Sequence, residues 1–72
     1  MTKIEEINQF MLEAFEEVGF EDTLENRLAF LQGLQEAWKE DPDVSLEKAL
    51  YQIALNGEIM IIEMKLRYVA IN

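Results

Sequence analysis

Cysteine and histidine are both absent from the 72 residues. Without cysteine the chain forms no disulfide and no thiolate metal site. Without histidine it lacks the commonest metal ligand and the usual general base near neutral pH. Hydroxyl nucleophiles are scarce too: Ser45, Thr2 and Thr23 all stand where helix caps are expected, with no base to activate them. No glycine-rich phosphate loop occurs. No apolar run exceeds four residues, Ile59 to Ile62 being one, and a membrane span needs about 20. The first residues, Met1-Thr2-Lys3-Ile4-Glu5-Glu6, do not have the basic and then apolar character of a signal peptide. A cytoplasmic, non-enzymatic protein without metal or organic cofactor is therefore expected.

Basic residues are also few, six against fifteen acids, for a net charge of −9. The imbalance is local. Residues 1–43 hold twelve acids and three bases, whereas residues 44–72 hold three of each. Phosphates and anionic lipid heads are repelled by such a chain, and direct nucleic-acid binding would need the clustered Lys and Arg that are missing. Half of the residues are nevertheless apolar, which argues against disorder. At this length one domain, 1–72, is expected, near the size at which a single core needs outside support. With disulfides and metals excluded, oligomerisation is the remaining source of that support.

The pattern of what is present is helical. Over 3–18, Ile4, Ile7, Met11, Ala14, Phe15 and Val18 recur at three and four, the spacing of one helix face. Thr2 and Glu5 make a capping box at its start, and Gly19 supplies a left-handed stop. Glu13, Glu16 and Glu17 fall on the opposite, acidic face. Over 24–40, Leu24, Leu28, Leu31, Leu34 and Trp38 form a second stripe, capped by Thr23 or Asp22 and ended by Asp41-Pro42. Gly33 lies inside this helix, either where a neighbour approaches closely or as a tolerated surface glycine.

A third helix is expected over 46–55, with Ser45 as cap and Val44 stapled to Ala49. Leu46, Ala49, Leu50 and Ile53 would face inward, and Asn56-Gly57 could end the helix, although a helix running through the glycine is also possible. Residues 58–70 alternate like a strand, but no other segment alternates to pair with them, so helix is preferred. That last helix carries two apolar stripes: Ile59, Ile62, Leu66 and Val69 on one side, Met60, Met64, Tyr68 and Ile71 on the other. The fold class is thus all-α, a small bundle of three to four short helices, with Phe15, Leu31, Trp38 and Ile53 in its core.

Two sequence features resemble functional motifs without meeting their requirements. Asp41-Pro42-Asp43-Val44-Ser45 begins like a calcium loop, but Leu46 and Gln52 stand where glycine and a bidentate acid are needed. The adjacent carboxylates Glu16-Glu17, Glu21-Asp22 and Glu40-Asp41 have nothing nearby to desolvate one of them. The expected function is a small acidic protein–protein interaction or regulatory adaptor domain. It would form a homodimer through Met60, Ile61, Met64, Tyr68 and Ile71, because this C-terminal part is neutral where the rest of the chain would repel a copy of itself. The alternative is an acidic mimic of nucleic acid that blocks a DNA- or RNA-binding protein through Glu13, Glu16 and Glu17.

Overall fold

The structure, a computed structural model, describes the backbone of residues 1–71 and the side chains of residues 1–68. It contains three helices: α1 Lys3–Val18, α2 Leu24–Glu40 and α3 Leu46–Ile71. No strand occurs among the described residues. The chain runs up, down and up. α2 lies antiparallel to α1, with Phe30 edge-on to Phe15 at 5.7 Å between centroids. It is antiparallel to α3 as well, with Trp38 against Tyr51 near one end and Leu24 beside Met64 and Tyr68 near the other.

Local chemistry sets the helix ends. The Thr2 hydroxyl accepts the Glu5 N–H at 3.1 Å, and the Glu5 carboxylate accepts the Thr2 N–H at 3.5 Å. This closes the capping box and satisfies two otherwise unpaired donors. Gly19, at φ 79° and ψ 26°, takes the left-handed conformation that residues with a Cβ rarely adopt, and its N–H donates to the Phe15 carbonyl. The Thr23 hydroxyl caps α2 through the Asn26 N–H at 3.1 Å. Asp41 leaves the helix in an extended conformation, as the residue before Pro42 must.

Between α2 and α3 the turn is braced in steps. The Asp41 carboxylate accepts the Asp43 N–H, the Asp43 carboxylate accepts the Ser45 N–H, and the Ser45 hydroxyl accepts the Lys48 N–H. Lys48 reaches back to the Asp41 carbonyl and carboxylate at 3.1 and 3.2 Å. The segment that starts like a calcium loop thus uses its carboxylates to hold a helix–helix turn. The hydrophobic staple expected here does not close: Val44 is 94% exposed.

α3 corrects the boundary expected at Asn56-Gly57, since residues 46–55 and 58–70 form one helix of 26 residues. Gly57 has no positive φ. A helix break there would leave up to four N–H and four C=O groups without partners. Running through costs about 1 kcal/mol for the glycine. Continuity also keeps Leu55, Ile59 and Ile62 on one buried face. Asn56 does not fold back as a cap; its side-chain carbonyl accepts Gln35 Nε2 at 2.6 Å.

The core comprises Ile7, Met11 and Phe15 of α1, Leu31 of α2, and Leu55, Ile59 and Ile62 of α3. Leu24, Leu28, Leu34, Trp38, Tyr51 and Leu66 pack against it, half-buried. α3 packs against both other helices, which meet each other only narrowly. α1 and α2 therefore cover one side of α3 and leave its opposite side open.

Candidate interaction surface

Continuity of α3 turns its first half relative to the expectation from residues 46–55 taken alone. With 59, 62 and 66 facing inward, the same face one, two and three turns before 59 is 55, 51 and 48. Those positions are Leu55, Tyr51 and the aliphatic stem of Lys48. Leu46, Ala49, Leu50 and Ile53, expected to face inward, are all exposed, Ile53 by 68%. Ile53 is accordingly not a core residue. Phe15 and Leu31 are buried as expected, and Trp38 is half-buried at the edge of the core.

The displaced residues join the expected interface. Met60, Ile61, Met64 and Tyr68 are exposed, and at 100° per residue they lie within about 100° of arc together with Leu46, Leu50 and Ile53. Ile71 belongs to the same arc by number, but its side chain lies outside the described residues. The seven large side chains are exposed by 43% to 76%. At roughly 200 Å² for a fully exposed large residue, on the order of 800 Å² of mostly apolar surface lies outside the fold, above the roughly 300–600 Å² of the largest patch on an ordinary monomer. A hollow lined by Leu24, Met64, Lys65 and Tyr68 sits at the C-terminal end of this arc.

No carboxylate stands in the arc. Glu47, Glu58 and Glu63 fall on its flanks, and Arg67 borders it beside Met60. Gly57 lies at its middle, whereas Asn56 is turned about 100° away, toward Gln35 of α2. A Cβ added to Gly57 would meet nothing within 4 Å, so no contact inside one chain requires the glycine. Gly33 is equally open, so no helix of the same chain approaches it closely.

The acidic face is on the other side of the molecule. Glu13, Glu16 and Glu17 are exposed on α1, and Glu13 accepts Gln9 Nε2 at 3.2 Å. None of the three forms an ion pair among the described residues. The ion pairs lie elsewhere: Arg27 with Asp22, Lys39 with Glu36, and Lys48 with Asp41. Hydrogen bonding from Arg27 holds the Asp22 carboxyl below the usual carboxylate value. The Asp43 N–H, and then Lys48, do the same for Asp41. Both shifts are opposite to what a general acid needs.

One polar contact joins α1 to α3 directly. The Tyr51 hydroxyl donates to the Glu6 carboxylate, and Lys3 Nζ stands 4.9 Å from the centroid of the Tyr51 ring. Losing the phenol proton beside that carboxylate would be unfavourable, so the Tyr51 pKa lies above its ordinary value. Among the described residues no group of three or more acidic, His or Cys side chains could hold a metal ion. No described helix is long and apolar enough to cross a membrane.

The chain matches no protein-family model, and no curated protein and no solved structure shows significant similarity to it.

Proposed function

We propose that the chain is a non-catalytic protein–protein interaction domain of the regulatory adaptor kind, which associates with a second copy of itself through the open face of α3. One observation carries this reading: a 26-residue helix presents a continuous apolar arc without a carboxylate, on a chain of net charge −9. Two such chains repel each other everywhere except where that arc meets its counterpart. The exposed area also suffices, since each partner of a standard stable interface buries about 800 Å². Sedimentation equilibrium at micromolar concentration tests the reading, with a dimer as the expected result. Met64→Glu should give a helical monomer, because Met64 is exposed and contributes nothing to the core. A wild-type chain that sediments as a monomer at all concentrations removes the proposal.

The uncompensated carboxylates of α1 favour a second reading, an acidic mimic of nucleic acid. Its surface, Glu13, Glu16 and Glu17, lies away from the α3 arc and can be tested separately. Changing all three to Lys should abolish capture of a nucleic-acid-binding protein at low salt. Unaltered capture would exclude this reading.

A further inference from the structure

The α3 arc has an internal symmetry. Positions 46, 50, 53, 57, 61, 64 and 68, half-buried at Gly57 and exposed elsewhere, read the same in both directions about Gly57, with steps of 4, 3, 4, 4, 3 and 4. We infer that the second copy binds antiparallel, with the two-fold axis passing beside Gly57. This rests on the proposal that α3 self-associates and adds the orientation and register of the pair. Two-fold symmetry requires that if residue i meets residue j, then j meets i. Antiparallel pairing about Gly57 satisfies this with Leu46 opposite the partner's Tyr68, Leu50 opposite the partner's Met64, and Ile53 opposite the partner's Ile61. Leu46, Leu50 and Ile53 each meet a large apolar residue of the partner, while Met60, also exposed in the arc, stands outside these pairs.

Charge at the ends of α3 favours the same orientation, although the Glu58 residues of the two copies then share one flank beside the axis. The N-terminal end of α3 is acidic, with Asp41 and Asp43 in the preceding turn and Glu47 in the first turn of the helix. The C-terminal end carries Lys65 and Arg67. Parallel pairing would bring the acidic ends of both copies together. Antiparallel pairing sets Glu47 on the same flank as the partner's Lys65, within one turn of it, and opposes the two helix dipoles. The hollow lined by Leu24, Met64, Lys65 and Tyr68 then faces the partner's Leu46, one of the most exposed apolar residues of the helix. Gly57, which nothing within its own chain requires, lies where the two backbones come closest.

Single cysteines test the orientation, because the chain has none of its own. Leu46→Cys and Tyr68→Cys both alter exposed positions and leave the core intact. In the antiparallel pair residue 46 is about 33 Å along the axis from its own copy, at 1.5 Å per residue. A disulfide needs Cα atoms within about 7 Å. Each variant is first confirmed as a dimer by sedimentation and then oxidised mildly, alone and as an equimolar mixture. The mixture should cross-link at least roughly tenfold faster than either variant alone, as expected when two thiols are held at high effective concentration. Leu46→Cys cross-linking to itself as fast as the mixture would show a parallel pair and overturn the inference while leaving self-association standing. Dimers in which neither sample cross-links would overturn it as well. A chain that sediments as a monomer would remove both the orientation and the proposal beneath it.

Discussion

At the residue scale, Leu31 and Ile53 separate what the fold needs from what it presents. Both are large aliphatic residues at helical spacing, yet Leu31 is fully buried and Ile53 is mostly exposed. Leu31→Ala should cost about 2–5 kcal/mol, the range for a core cavity, and a thermal melt of the monomer reads it. Ile53→Ala should change that melt by no more than about 0.5 kcal/mol, and a larger loss would place Ile53 in the core after all. Tyr51 offers a second residue-level test. Its pKa is raised above 10, chiefly by the hydrogen bond to Glu6. A raised folded-state value stabilises the fold at every pH below the ordinary tyrosine range, and that contribution is lost as pH rises through the raised value. In a Tyr68→Phe background, absorbance titration should show Tyr51 ionising above pH 10, and Glu6→Gln should bring it closer to the ordinary value.

At the element scale, the helix ends were legible in the sequence because they depend on a few neighbouring residues. Thr2 with Glu5, Gly19, Thr23, Asp41-Pro42 and Ser45 all act as local chemistry requires. The break expected at Asn56-Gly57 is different, because a glycine there suits either a stop or a continuation. The decision rests on Leu55, Ile59 and Ile62 finding a common neighbour, which no local signal carries. Gly57→Ala tests the role of this position. Within one chain the added methyl meets nothing and should stabilise the helix by about 1 kcal/mol. Across an antiparallel pair it should force the backbones apart and weaken association. Circular dichroism at submicromolar concentration and sedimentation at higher concentration should therefore move in opposite directions. A variant that dimerises more tightly would put the close approach somewhere else.

For the whole molecule, charge and shape act on different sides. α1 and α2 carry most of the acids outward, and α3 keeps a neutral apolar face open. Added salt should therefore strengthen self-association, because it screens the mutual repulsion of two chains of net charge −9 while leaving apolar burial in place. Sedimentation between about 0.05 and 0.5 M salt, where the screening length falls severalfold, should show a falling dissociation constant. A constant that rises with salt would mean that charge attraction, not apolar burial, holds the pair. The same series run on capture through the acidic face of α1 should show the reverse trend.

The sequence by itself determined the helical class, the bounds of α1 and α2, the capping groups, the acidic outer face of α1 and the second apolar stripe at Met60, Met64 and Tyr68. Each follows from interactions within a few residues or from periodicity along one helix. Only the tertiary structure decided that α3 is continuous, and with it the side of α3 that α1 and α2 cover. That choice takes Leu46, Leu50 and Ile53 out of the expected core and places them beside Met60 and Met64. The physical reason is that a helix apolar on more than one side has several faces of similar hydrophobicity. Which face is buried depends on what two neighbouring helices can cover together, a property of their packing and not of the residues of α3 alone.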